Sequence, residues 1–475
     1  MQVFRRLTDG VWRGVDTVTS TVTDTVSEAF FEPVVRLGVT GLARSGKTVF
    51  ITALIANLLE RGRMGQLRGV SNGAIRAVYL HPQPDDTLPR FPFEDHLAAL
   101  TGHTPHWPDN TRGISTLRLS FRVQSGGLRG LGGARRVHVD IVDYPGEWLL
   151  DLALLDMDYA EWSAQVLARA AGRPGGADWL AQAQAAQADA PFGEGDARAL
   201  ADAYTEHLAA ARAAGFSDCT PGRFLMPGEM AGSPVLTFAP LPPSAAPRGS
   251  LAREMARRFS AYKSRIVRPF FRDHFARIDR QVVLVDALDA IHAGPRAVED
   301  QRRVMAGLLT AFRPGRNAWL STLLRGRRVD RILFAATKAD HLHHTQHSRL
   351  TAIVEAMLRD ARSRADFSGA QTQAMSIAAV RATVEEVVQH QGAALNCVRG
   401  TLLETGRQAA FYPGELPEDP MRLLSPAREG AEAWLDADYQ IMRFAPALAD
   451  LTPGDGLPHI RLDRAAEFLL GDKLT

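Results

Sequence analysis

The segment Gly41-Leu-Ala-Arg-Ser-Gly46-Lys47-Thr48 fits G-x-x-x-x-G-K-[ST], a spacing whose chemistry is phosphate binding. Its glycines let the backbone wrap a phosphate chain so that N–H groups and a helix N-terminus face the negative charge. Lys47 would place a compact charge between the β- and γ-phosphates, a role for which the planar guanidinium of arginine is badly shaped. Thr48 would hold Mg²⁺ through its hydroxyl, and Ala43, Arg44, Ser45 and Val49 complete the expected loop contacts. Asp143-x-x-Gly146 supplies a carboxylate for a Mg²⁺-bound water and a glycine N–H for the γ-phosphate. Glu147 follows where a residue could orient or deprotonate the attacking water, with a salt bridge to a switch helix as its alternative role.

Thr337-Lys338-Ala339-Asp340 matches [NT]-K-x-D. Asp340 would accept hydrogen bonds from guanine N1–H and the 2-amino group, donors that adenine lacks there, while the Lys338 stem packs over the base. Lysine usage supports both sites. Of 55 basic residues only Lys47, Lys263, Lys338 and Lys473 are lysine, so two of four fall where this chemistry requires lysine. Ser376 and Ile377 are the candidate base-contacting loop. Thr111 is the candidate switch threonine for Mg²⁺, with Ser115 and Thr116 as rivals, and Arg112 beside it is a candidate cis arginine finger. His341, His343, His344 and His347 read as a solvated helix start rather than a metal site, because they lack cysteine or a paired carboxylate pattern. Arg325, Arg327 and Arg328 read as a solvated basic face.

These motifs need a scaffold that presents them together. Pro33 to Thr40 reads as a buried strand, followed by the glycine-rich turn and a helix from Thr48 to Glu60. Further apolar runs at Leu117 to Val123, Val137 to Val142, Gln281 to Val285 and Arg331 to Ala336 predict strands, most with a motif at the carboxyl end. Short apolar strands alternating with helical stretches predict an α/β fold with a mainly parallel sheet covered by helices on both faces. Between the strands Val137 to Val142 and Gln281 to Val285, an Ala-rich stretch at about 155–275 predicts a large, mostly helical insertion, irregular around Pro221 to Pro243. Val11, Val15, Val18, Val22, Val26 and Phe30 predict an amphipathic N-terminal helix, with Arg5, Arg6 and Arg13 near its start.

The 475 residues predict two or three folding units, and a net charge of +2 gives no global pull toward nucleic acid. Two cysteines, Cys219 and Cys397, exclude a disulfide framework, and the sequence holds no membrane-spanning run or signal peptide. A cytoplasmic protein is expected, with peripheral contact at the inner membrane through residues 1–31 as an option.

The motifs and their flanks resemble the YcjX-like family of stress-associated bacterial P-loop GTPases. The resemblance covers Gly41 to Leu54, Asp143 to Leu150, Pro221 to Gly228, Tyr262 to Arg272, Val285 to Leu288, Thr337 to Asp340, and Gly456 to Arg464 with Phe468 to Leu474. It implies a Ras-like G domain with an added helical part, Mg²⁺-dependent hydrolysis of GTP to GDP, and a cytoplasmic protein working near a membrane. The leading reading is a switch that signals to an unknown protein effector or a membrane protein, with a nucleotide-stabilised scaffold of negligible turnover and an ATPase as the alternatives. Nucleotide contacts carry over to Gly41, Gly46, Lys47, Thr48, Asp143, Gly146, Thr337, Lys338 and Asp340. The expected organisation is an N-terminal helix at 1–33, a first G-domain part at 34–154, a helical insertion at 155–275, a second G-domain part at 276–405, and a C-terminal segment at 406–475 packing on the G domain.

Overall fold

The computed structural model describes residues 32–41, 45–83, 85–109, 113–124, 134–311, 329–366, 370–434, 439–448 and 452–475. The N-terminal helix expected at 1–31 and the basic patch at Arg325, Arg327 and Arg328 lie outside these residues.

Among the described residues seven strands form the central sheet: β1 (Val34–Gly41), β2 (Ile75–His81), β3 (Ser115–Gln124), β4 (Ala134–Asp143), β5 (Arg280–Val285), β6 (Arg331–Ala336) and β7 (Gln371–Ser376). Their order is β2-β3-β4-β1-β5-β6-β7. From β4 to β7 all pairs are parallel. β5 and β6 read as continuous apolar runs because helices bury them on both faces. The other edge is antiparallel, with β2 on β3 and β3 on β4. Residues 125–133 are fewer than the dozen or so that a parallel crossover needs, so β4 must return beside β3 in the opposite sense.

On one face pack α1 (Lys47–Glu60), α2 (Phe93–Thr101) and the C-terminal helix Leu462–Leu470, through Phe50, Ile51, Leu54, Phe93, Leu100 and Leu469. The insertion follows β4 and contributes α3 (Tyr159–Ala170), α4 (Gly176–Ala185), α5 (Glu194–Ala213) and α6 (Leu251–Tyr262). Asp158 and Ser250 start α3 and α6 by accepting the backbone N–H of the residue three further on. The insertion's aromatic centre, where Trp162 stacks on Phe259 at 4.9 Å between ring centroids, runs without a break into the second face of the sheet at Val283, Val285 and Phe334. α7 (Pro295–Ala311) and α8 (His347–Asp366) complete that face.

The chain then builds a second sheet that the sequence pattern does not announce. Strands β8 (Thr383–His390), β9 (Ala393–Thr401) and β10 (Gln408–Phe411) run antiparallel in the order β10-β9-β8. α9 (Met421–Arg428) and α10 (Leu462–Leu470) follow, and Ile460 bridges antiparallel to Ala378. Arg280, almost fully buried, fastens α10 beneath the sheet by donating to the Leu469 carbonyl and pairing with Asp330 and Asp472. Among the described residues no helix is long and apolar enough to cross a membrane.

Candidate nucleotide site

The motif residues lie at the carboxyl ends of adjacent parallel strands. Gly41 is level with Leu284 of β5, which is level with Ala335 of β6. At the usual strand spacing the ends of β1 and β6 are therefore about 10 Å apart. Asp143 ends β4, paired with Val39 on the other side of β1.

At the phosphate end, Gly46 caps α1 in the left-handed conformation, φ 77°. Lys47 Nζ donates to Asp143 Oδ1 at 2.5 Å, with the lysine side chain 11% and the aspartate 1% exposed. The second carboxylate oxygen, Asp143 Oδ2, is buried without a hydrogen-bond partner among the described residues, as is Ser45 Oγ. Thr48 Oγ1 donates to the Asp109 carbonyl at 3.4 Å, which brings the chain just before Thr111 over the start of α1. Thr111, Arg112, Ala43 and Arg44 lie outside the described residues. Ser115 and Thr116, the rival switch residues, are held in β3 by pairing with Asp143 and Val142. Val49 is half-buried against the α1 face of the core. Gly146 is required by close approach, because a Cβ there would overlap the carbonyl of Gly41. The D-x-x-G segment thus rests directly on the end of β1.

From there the chain leads into the insertion. Glu147 is buried and pairs with Arg212 of α5 at 3.1 Å. Trp148 donates its indole N–H to the Met226 carbonyl at 3.0 Å, and the Arg223 guanidinium lies 3.2 Å from the centre of its ring. Gly222 presses so tightly on Glu147 that a Cβ would overlap the Glu147 carbonyl. Asp151 accepts the Gly222 N–H at 2.8 Å and the Tyr262 hydroxyl. Residues 146–151 are therefore anchored by three separate parts of the insertion.

Burial pushes the Asp151 carboxyl up to about 7 against the hydrogen bonds that lower it. That folded-state value lies above the ordinary one near 3.9, so the folded chain holds the proton more tightly than the unfolded chain. The stabilisation is complete below about pH 4 and is lost as the pH rises through 7. Asp151→Asn should therefore raise the melting temperature at pH 8, and its advantage over wild type should shrink as the pH falls to 5. Thermal unfolding at both values checks this.

At the other end of the site, Lys338 adopts the left-handed conformation and its ammonium pairs with Asp286 at the end of β5. Asp286 also caps the helix Ala287–Ala293 by accepting the Asp289 N–H. Asp340 is buried, its Oδ2 accepts the Ala382 N–H at 2.8 Å, and its carbonyl accepts the Thr383 hydroxyl. The Thr337 N–H bonds to the Val285 carbonyl. Ser376 turns its hydroxyl toward the His347 carbonyl on α8 and receives Arg461. The N–H groups of Ser376 and Ile377 are taken by Thr351 and the Ala336 carbonyl, so neither is turned toward a base.

The histidines correct the expectation of a solvated helix start. His347 is buried with Nε2 against the Ala339 and Leu342 carbonyls, His343 is also buried, and His341 packs edge-on against Phe444. Only His344 among them is exposed. Sequence reasoning also assigned no role to Asp286, Asp151, Arg212 or Arg223. The Asp286 signal was available, since an aspartate between an apolar run and a helix is an N-cap pattern. The other three meet their partners only through tertiary packing.

A mainly parallel sheet with the phosphate-type loop after β1, D-x-x-G after β4 and T-K-x-D after β6, in this strand order, is a Ras-like P-loop G-domain fold extended by one edge strand. Residues 35–474 match the YcjX-like family, DUF463. The chain is 37% identical over 455 residues to the Ras-like GTPase YcjX of Escherichia coli (strain K12), covering 92% of this chain and 96% of that protein. It is 34% identical over 469 residues to the Ras-like GTPase YcjX of Shewanella oneidensis (strain MR-1), covering 92% and 94%. The chain belongs to the YcjX-like family.

Proposed function

We propose that this protein binds GTP with Mg²⁺ and hydrolyses it to GDP and phosphate, and that residues 143–151 pass the nucleotide state to the helical insertion. The observation that carries this reading is the placement of the Lys47–Asp143 pair and Asp340 at the carboxyl ends of β4, β1 and β6. The relatives named Ras-like GTPases support it. An all-oxygen donor set, the Thr48 hydroxyl and the unsatisfied Asp143 Oδ2, fits Mg²⁺. Mg²⁺ held there would neutralise charge on the β- and γ-phosphates. Lys47 exchanges Asp143 for the phosphates, Gly146 offers its N–H to the γ-phosphate, and Asp340 selects guanine. Thr111, with Asp109 already over Thr48, is the proposed switch threonine, and Arg112 the proposed arginine finger. Titration with GTP and with ATP tests the reading, and tighter ATP binding overturns it.

Glu147 is proposed to orient the attacking water once released from Arg212. Glu147 is buried and Arg212 only 25% exposed, so the pair is worth at least the roughly 1 kcal/mol of an exposed one, and removing it would raise the released fraction about fivefold or more. Arg212→Ala should accordingly raise phosphate release severalfold while GTP affinity stays near wild type. Unchanged turnover would remove Arg212 from the relay. The wider role we propose is a stress-linked cytoplasmic switch, with a protein effector and peripheral membrane contact through residues 1–31.

A further inference from the structure

The chain after Asp340 carries two histidines to a corner that nucleotide chemistry does not use. His343 and His344 lie with ring centroids 4.3 Å apart, and Glu385 of β8 faces both. Glu385 Oε2 is 2.6 Å from His344 Nδ1 and 3.7 Å from His343 Nε2, and the three ligand atoms fall within 4.8 Å of one another. In a tetrahedral zinc site with bonds of roughly 2.0–2.2 Å, neighbouring ligand atoms stand about 3.3–3.6 Å apart. The observed separations bracket that value. The 3.7 Å gap is too long for a hydrogen bond, yet it matches two ligands sharing one cation.

The surroundings are also those of a site. His343 Nδ1 lies 3.0 Å from the Thr345 hydroxyl, which fixes the ring with Nε2 toward Glu385, the outer hydrogen bond by which metal-bound histidines are oriented. Glu385 Oε1 is occupied separately, accepting the His344 N–H at 3.1 Å with Arg381 3.8 Å away, so Oε2 alone faces the rings. A surface ion pair between His344 and Glu385 explains the exposed histidine. It does not explain a buried His343 aimed at the same oxygen.

We propose that His343, His344 and Glu385 bind one divalent transition-metal ion of the Zn²⁺ class, with a fourth position left for water. Two imidazoles and one carboxylate are a borderline donor set that suits Zn²⁺ better than Mg²⁺ or Ca²⁺. His344, with 65% of its side chain exposed, leaves an entry path. The ion would tie the segment after Asp340 to β8, whose start at Thr383, with Ala382 just before it, already holds Asp340. It thus stiffens the side of the base loop away from the phosphates.

The test is Zn²⁺ titration of the untagged, chelator-treated full chain without nucleotide or Mg²⁺, read by calorimetry and by thermal unfolding. One equivalent is expected to bind and raise the melting temperature. His344→Ala and Glu385→Gln, both at partly exposed positions, should each weaken binding at least tenfold and abolish the thermal shift. His390→Ala, an exposed histidine at the end of β8, should behave as wild type. Equal Zn²⁺ affinity in wild type, His344→Ala and Glu385→Gln overturns the proposal, as does a wild-type chain that binds no Zn²⁺. Because nucleotide is absent from the titration, its outcome is independent of the GTPase reading.

Discussion

Lys47→Ala should lower GTP turnover by about 10²-fold or more, the scale expected when a preorganised charge is removed from a transition state that concentrates negative charge. The structure adds a second consequence. In the structure Lys47 is the cation beside a carboxylate that is 1% exposed. Removing one partner of a buried pair leaves the other charge uncompensated, at a cost of roughly 3 kcal/mol. Lys47→Ala should therefore melt several degrees below wild type without nucleotide, and added GTP should not restore it. Lys47→Arg separates the two effects. A guanidinium can still neutralise Asp143, so most of the thermal stability should return, whereas its forked shape cannot take the place of the ammonium in the phosphate loop. Phosphate release should stay low in both variants. A Lys47→Arg protein with wild-type turnover would show that the position supplies only charge.

Much of this site was legible because its parts are local. The phosphate loop, D-x-x-G and T-K-x-D each occupy a few consecutive residues at the end of a strand whose apolar run is continuous, and β1, β4, β5 and β6 appear where those runs predict them. The edges were harder to read. β2 is only half-buried and β8 shows no clean alternation, with Val384 and Val387 exposed, so neither carries the pattern of a core strand. The pairs that connect the site to the insertion are illegible for another reason. Glu147 meets Arg212, and Asp151 meets Gly222 and Tyr262, across long stretches of chain, and no periodicity encodes which charges will be neighbours. Ser376 shows the converse. The motif position is readable, but in the fold its hydroxyl and N–H bond the His347 carbonyl and the Thr351 hydroxyl of α8, partners that no local pattern names.

Asp340→Asn should weaken GTP binding by about 10²-fold or more, because a site built to accept two donors from its ligand discriminates strongly once an acceptor is lost. Two contacts hold in place the residue proposed to read the base. The Ala382 N–H fixes one oxygen, and the Thr383 hydroxyl fixes the Asp340 backbone carbonyl. Asparagine can keep its oxygen on the Ala382 N–H, so the fold should survive, with a melting temperature close to wild type. What changes is the second atom, which becomes an N–H₂ donor where the proposed guanine contact requires an acceptor. Xanthine carries a carbonyl where guanine carries the 2-amino group. Asp340→Asn should therefore bind xanthosine triphosphate more tightly than GTP and hydrolyse it, while Lys47→Ala loses turnover of both. Competition of each triphosphate against a fluorescent nucleotide measures the exchange. If the variant kept its preference for GTP at full affinity, Asp340 would not be reading the base, and the buried carboxylate would have to be assigned to the β8 junction alone.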